Sequence, residues 1–92
     1  MTSAEQNEQQ QGIKKHAQET LRALIGEHVM HALGEPGSLY KLLVHRLWKD
    51  HYRVNVLVGE NAAAARIANS YFVLADSDGN IVKTNPKITR QY

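Results

Sequence analysis

The sequence contains no cysteine, and this absence removes several classes of function at once. Without a thiol the chain cannot form a disulfide framework, bind zinc through thiolates or use a cysteine nucleophile. No apolar run approaches the length of about 18 residues that marks a membrane-spanning helix. The N-terminus carries neither the basic nor the apolar segment of a secretory signal. We therefore expect a cytoplasmic protein without a membrane partner.

Large apolar side chains are also missing from the start of the chain, apart from Met1. Residues 1–12 consist mainly of Gln, Glu, Ser, Thr and Asn. Such a segment cannot bury enough surface to offset the entropy lost on ordering. The sequence of 92 residues therefore predicts a disordered polar tail over residues 1–12 and a single domain over residues 13–92.

The formal net charge is only +2, but it is unevenly distributed. Residues 1–38 carry three Lys and Arg against five Asp and Glu, whereas residues 39–92 carry eight against four. A basic second half is compatible with an anionic partner such as a nucleic acid.

Helical periodicity runs from Ile13 to Leu33. Over this range the apolar residues recur every three or four positions and share one side of a helical wheel. Gly34 and Pro36 follow, and together they end a helix, because glycine is a preferred C-terminal cap and proline cannot continue the backbone hydrogen bonding.

The next segment, residues 39–48, fits either a second helix or a strand, and the following segment favours the strand. Residues 52–58 alternate cleanly, with Tyr52 and three valines on one face. A tight turn at Lys49 and Asp50 would join the two strands as a hairpin. The predicted pairs are Leu47 with Tyr52, His45 with Val54 and Leu43 with Val56.

Two further strands are predicted around a polar turn over residues 76–80. Residues 70–75 are rich in strand formers, residues 81–84 return as the partner strand, and Pro86 ends it. The fold class is therefore α+β, with one long N-terminal helix packed on a four-stranded antiparallel meander. This arrangement is similar in shape to cystatin-like folds and nuclear transport factor 2-like folds, an architectural analogy that implies no activity.

The strand pattern places large apolar groups on both faces of the sheet, and one helix covers only one of them. We expect the other face to bind a second copy of the chain, which makes a non-enzymatic interaction or scaffold module that forms a homodimer. An aromatic side chain within a rim of arginines is typical of an interface centre. The predicted interface residues are Tyr40, Val44, Arg46, Trp48, Arg53 and Leu57.

Two alternatives stay open. Arg46, Trp48, His51 and Arg53 would share the uncovered face, and basic residues interleaved with an aromatic ring also bind single-stranded nucleic acid. The other alternative is a small-molecule pocket between helix and sheet, with His28 as its candidate residue.

Catalytic and cofactor signals are weak. His28 and His31 are three residues apart on the predicted helix, but no third ligand is placed by spacing, so we predict no metal site. No histidine and acid are spaced to activate a serine or threonine, and no glycine-rich phosphate loop occurs. We therefore expect neither a catalytic residue nor a cofactor.

Overall fold

The structure is a computed structural model that describes the backbone of residues 3–92 and the side chains of residues 17–92. Its elements are α1 (Ser3–Leu33), β1 (Leu39–Trp48), β2 (His51–Val58), β3 (Arg66–Ala75) and β4 (Ile81–Asn85). The strands form one antiparallel sheet in the order β1-β2-β3-β4, and α1 packs on one side of it. The predicted α+β class and its meander are confirmed. The predicted tail over residues 1–12 has no described side chain and stays a prediction.

Helix α1 contributes a narrow apolar stripe to the core. Ile25, Val29 and Leu33 are fully buried and recur every four residues, so they stack along one side of the helix. They pack against buried residues of the central strands, namely Tyr52, Val54, Val56, Tyr71, Val73 and Ala75. Within the described part of the chain, no helix is long and apolar enough to cross a membrane.

The helix ends where the sequence predicts. The Gly34 amide donates to the Met30 carbonyl oxygen at 2.8 Å, and Gly34 has a φ of 88°, a conformation that glycine adopts without strain. The C-terminus of the chain covers this end, because the amides of Gln91 and Tyr92 donate to the Leu33 carbonyl oxygen at 2.8 and 3.2 Å. These hydrogen bonds hold residues 91 and 92 against the C-terminus of α1.

Residues 39–48 form a strand, and the predicted β1–β2 hairpin is confirmed, but its predicted register is wrong. Trp48 pairs with His51 across the turn, and the next pair is Arg46 with Tyr52, so Leu47 is an extra residue in a β-bulge. Every later pair is therefore displaced by one residue from the prediction.

This displacement exchanges the two faces of β1, because neighbouring residues of a strand point to opposite sides. Val44 pairs with Val54 and Leu42 with Val56, so both lie under α1 instead of on the uncovered face. Gly26 allows the close approach of helix and strand: a Cβ added there would lie 2.8 Å from the Leu42 Cδ2 atom.

The β3–β4 turn is stabilised by its own side chains and docks on the helix. The Asp76 Oδ1 atom accepts the amides of Asp78 and Asn80, both at 2.9 Å. These hydrogen bonds, first of all the one from the Asn80 amide, lower the pKa of Asp76 below its ordinary value. Gly79 is buried and has a φ of 82°, and a Cβ added there would lie 2.9 Å from the Leu24 Cβ atom.

Candidate functional site on the outer sheet face

The sheet has one face under α1 and an opposite face, here called the outer face. Burial along β2 separates the two, since Tyr52, Val54, Val56 and Val58 are buried and the residues between them are only half-buried. Residues paired across strands share a face, so the register assigns the other strands as well.

Strand pairing arranges the outer face as four rows that cross the sheet. Successive rows lie two residues apart along the strands, or about 7 Å. From one end to the other the rows are Trp48–His51–Leu74–Lys83, His45–Arg53–Phe72–Asn85, Leu43–Asn55–Ser70 and Lys41–Leu57–Ile67.

Two aromatic side chains dominate the first two rows. Trp48 is 58% exposed and Phe72 is 48% exposed, although both lie within strands. Trp48 stacks on His51 with ring centroids 4.6 Å apart and planes inclined by 19°. The Arg53 guanidinium carbon lies 4.7 Å from the centre of the Phe72 ring, a cation–π contact. We call Trp48, His51, Arg53 and Phe72 the aromatic corner.

A cavity of about 390 Å³ opens at the aromatic corner. The outward side chains that line it are Trp48, His51, Phe72, Leu74, Lys83 and Asn85. His51 is one of these lining residues, and its Nδ1 atom is buried without a hydrogen-bond partner within the described residues. We call this space the corner cavity. Aromatic residues line it together with Lys83 and Asn85, whose side chains can form hydrogen bonds.

The charge of the sheet has one sign. The four strands contain five Lys and Arg residues but no Asp or Glu. Lys41, Arg53 and Lys83 occupy outward positions, and His45 and His51 lie between them. The described carboxylates lie instead on α1 and in the loops and turns. The strand positions of the outer face therefore carry cations and no carboxylate, although Asp50 lies in the turn between Trp48 and His51.

The far end of the outer face is apolar. Leu57 pairs with Ile67, and Leu43 lies diagonally next to Leu57 on β1. Ile67 is 59% exposed. We call these three residues the apolar patch. In the same row as Leu43 lies a polar pair, in which the Ser70 hydroxyl donates to the Asn55 Oδ1 atom at 2.6 Å.

The structure brings together part of the interface predicted from the sequence. Trp48, Arg53 and Leu57 do lie on the outer face. Val44 packs under α1, as described above, and is not on this surface. Arg46 folds back on the turn, where its Nε atom donates to the Lys49 carbonyl oxygen at 2.8 Å.

The last residue of that set, Tyr40, lies at the distant end of β1. It is 39% exposed and falls at the register irregularity between Leu39 and Lys41. It is therefore separated from Trp48 by most of the strand length.

His28, the predicted pocket residue, lies half-buried on the side of α1 that faces β4. Its Nδ1–H donates to the Gly79 carbonyl oxygen at 2.6 Å. Together with His31 and Lys87 it lines an open groove of about 690 Å³. Among the described residues, no group of three His, Cys, Asp or Glu is placed to hold a metal ion.

Sequence reasoning missed three residues of the site: Phe72, Lys83 and Asn85. Phe72 was one strand former among several, and the two β4 residues carry no motif. A usable signal was nevertheless present, because the strand segments contain Lys and Arg but neither Asp nor Glu. This excess of basic over acidic residues can be read from the sequence alone. The proximity of Phe72, Lys83 and Asn85 depends on the strand register, which cannot.

Comparison of the chain with protein-family models, with curated proteins and with solved structures finds no match.

Proposed function

We propose that the protein binds single-stranded nucleic acid on the outer face of its sheet, in the cytoplasm. The observation that carries the proposal is the union of exposed aromatic rings with a strand surface that holds cations and no carboxylate. Aromatic rings stack on unpaired bases of any sequence, and cations bind the phosphates between them. The outer face offers both kinds of contact within neighbouring rows.

The geometry favours a single strand over a duplex. Bases of a duplex are already stacked on each other and present only their edges, so exposed rings gain nothing from them. Trp48 keeps one ring face on His51, which leaves the opposite face accessible for a base. Arg53 above Phe72 presents a planar guanidinium, which is a second surface on which bases stack.

The cations predict how binding responds to salt. Lys41 and Arg53 lie on the outer face and each can neutralise one phosphate. Each phosphate contact of a single strand contributes about −0.7 to the slope of log K against log salt concentration, so we expect a slope of roughly −1.4. Replacing either of the two with a neutral residue should reduce the magnitude of the slope by about 0.7.

Fluorescence anisotropy of a labelled oligothymidylate of about 12 nucleotides tests the proposal. We expect Trp48→Ala to weaken binding by about 1–3 kcal/mol, the usual loss for one stacking ring. Tyr40→Ala is the matched control, because Tyr40 is also an exposed aromatic of β1 but lies away from the aromatic corner. This control should bind like the wild type.

Trp48 also supplies a direct signal, since it is the single tryptophan of the chain. Bound oligonucleotide should quench its fluorescence, and the quenching should weaken as salt is added. A wild-type protein that neither binds the oligonucleotide nor changes its fluorescence would refute the proposal.

Self-association through the apolar patch is a second candidate function. Leu43, Leu57 and the exposed Ile67 are the observation in its favour. Charge opposes a dimer that uses the whole outer face, because a two-fold interface sets each surface against its own copy. Cations would then approach cations, an arrangement that costs several kcal/mol where no carboxylate intervenes.

Sedimentation at micromolar concentration distinguishes the two candidates. A dimer that Ile67→Lys dissociates would support self-association. Val82→Lys is the control, because Val82 is 63% exposed but lines the groove between α1 and β4. A monomeric wild type that binds oligonucleotide would contradict self-association and support the first candidate.

A further inference from the structure

We infer that the corner cavity receives one base of the bound strand and that this base is guanine. The inference rests on the proposed function and adds a base preference to it. It follows from the walls and the polar groups of this cavity, whose volume is large enough for a base.

The walls of the corner cavity suit a flat aromatic ring. Trp48, His51 and Phe72 line it with rings, and Leu74 adds an apolar contact. Its volume of about 390 Å³ lies at the lower end of the range of small-ligand sites, which starts near 300 Å³. The space is therefore large enough to receive a base.

The polar groups lie on one side of the cavity. Lys83 and Asn85 are two residues apart on β4, so both side chains extend from the outer face. Neither side chain has a hydrogen bond or ion pair within the described residues. Lysine offers only donors, whereas the asparagine amide both donates and accepts.

Of these two groups, Lys83 favours guanine among the bases. Guanine presents two adjacent acceptors, N7 and O6, on one edge, and lysine and arginine are their common partners. On the corresponding edge adenine replaces O6 with an amino donor, which repels a lysine ammonium. Cytosine presents an amino donor there, and thymine a single acceptor beside a methyl group. Lys83 therefore favours guanine, the one base with two adjacent acceptors on that edge, whereas the Asn85 amide can pair with either purine and does not choose between them.

The experiment compares four oligothymidylates of about 12 nucleotides that carry G, A, C or T at one central position. We expect the wild type to bind the guanine oligonucleotide about 10-fold more tightly than the other three. Lys83→Met should abolish that preference. Lys41→Met is the matched control: it removes an outward lysine from the opposite end of the outer face and should weaken all four complexes equally.

The outcomes separate this inference from the proposed function. If the wild type binds all four oligonucleotides equally, with the expected salt dependence, the base preference is overturned and the proposed function stands. If it binds none of them, both fail together. A guanine preference that survives Lys83→Met would also overturn the inference, because another group would then read the base.

Free guanosine monophosphate tests the source of the base. We expect it to bind at least 10-fold more weakly than the guanine oligonucleotide, because it lacks the neighbouring phosphates that contact Arg53 and Lys41. Equal binding of the mononucleotide would overturn the assignment of this cavity to a strand.

Discussion

Replacing Gly79 with alanine tests how the β3–β4 turn docks on α1. Gly79 has a φ of 82°, where an alanine pays about 1–2 kcal/mol relative to glycine. An added Cβ would also lie 2.9 Å from the Leu24 Cβ atom. That atom is fixed to the helix backbone, so the contact is relieved only if the turn moves away from α1, and overpacking of this kind costs about 1–3 kcal/mol.

The two effects are partly offset, because alanine loses less conformational entropy on folding than glycine, by about 0.4–1 kcal/mol. We therefore expect Gly79→Ala to lower the free energy of unfolding by about 2–4 kcal/mol. For a domain of this size, each kcal/mol shifts Tm by roughly 4–8 °C. The variant should melt roughly 8–32 °C below the wild type, a loss that circular dichroism measures directly.

Gly37→Ala is the matched control for this experiment. Gly37 has no positive φ, and an added Cβ there would meet nothing within 4 Å. Its Tm should equal or exceed that of the wild type by a few degrees, roughly 2–6 °C, since only the unfolded state changes. Equal behaviour of the two alanine variants would refute the docked position of the turn and, with it, the hydrogen bond from His28 to Gly79.

Three further predictions concern single residues outside the outer face. Lys49 has a φ of 44°, so Lys49→Gly should raise the free energy of unfolding by about 0.5–1 kcal/mol in urea titrations, while Asp50→Gly, at negative φ, should lower it by a similar amount. Because hydrogen bonds lower the pKa of Asp76, its carboxylate should stabilise the fold above pH 3.8 and lose that effect as the pH falls through the lower folded value; the stability difference from Asp76→Asn should therefore shrink in acid. Burial raises the pKa of Tyr71 above 10.0, so stability should fall as the pH rises past that value, and less so in Tyr71→Phe.

Much of the fold was predictable because its signals are local. The helical stripe that contains Ile25, Val29 and Leu33 repeats with the helical period, and Gly34 ends it with a conformation that few other residues adopt. The alternation of β2 is equally local and survives in the structure as strict alternation of buried and half-buried residues. None of these features depends on a contact between distant segments.

The register of β1 was not predictable from the same kind of signal. Leu42, Leu43 and Val44 are apolar without alternation, so the sequence does not say which of them faces the helix. The answer depends on the bulge at Leu47, a backbone feature next to a turn in which Lys49 is left-handed. Because of this single extra residue, Val44 packs against the core and does not lie at the predicted interface.

The candidate site also combines residues that a local sequence pattern brings together with residues that only the strand register brings together. Trp48, His51 and Arg53 fall near one turn, and the sequence alone suggests that they act together. Phe72 and Lys83 join them only through the pairing of β3 with its two neighbours, which includes another irregularity beyond Leu74. Residues far apart in the chain meet through register, and register was the weakest part of the prediction.

The contacts that hold the two exposed aromatic rings bear on the proposed binding of bases. Trp48 and Phe72 expose about half of their surface, yet each is held by a neighbour, Trp48 by the His51 ring and Phe72 by the Arg53 guanidinium. A ring that is already held loses little further freedom when a base stacks on it, and such preorganisation increases affinity. Arg53 is also a cation, so the group that orients the Phe72 ring also attracts phosphate. An exposed but preorganised and positively charged surface is better matched to a polyanion with flat bases than to a second copy of itself.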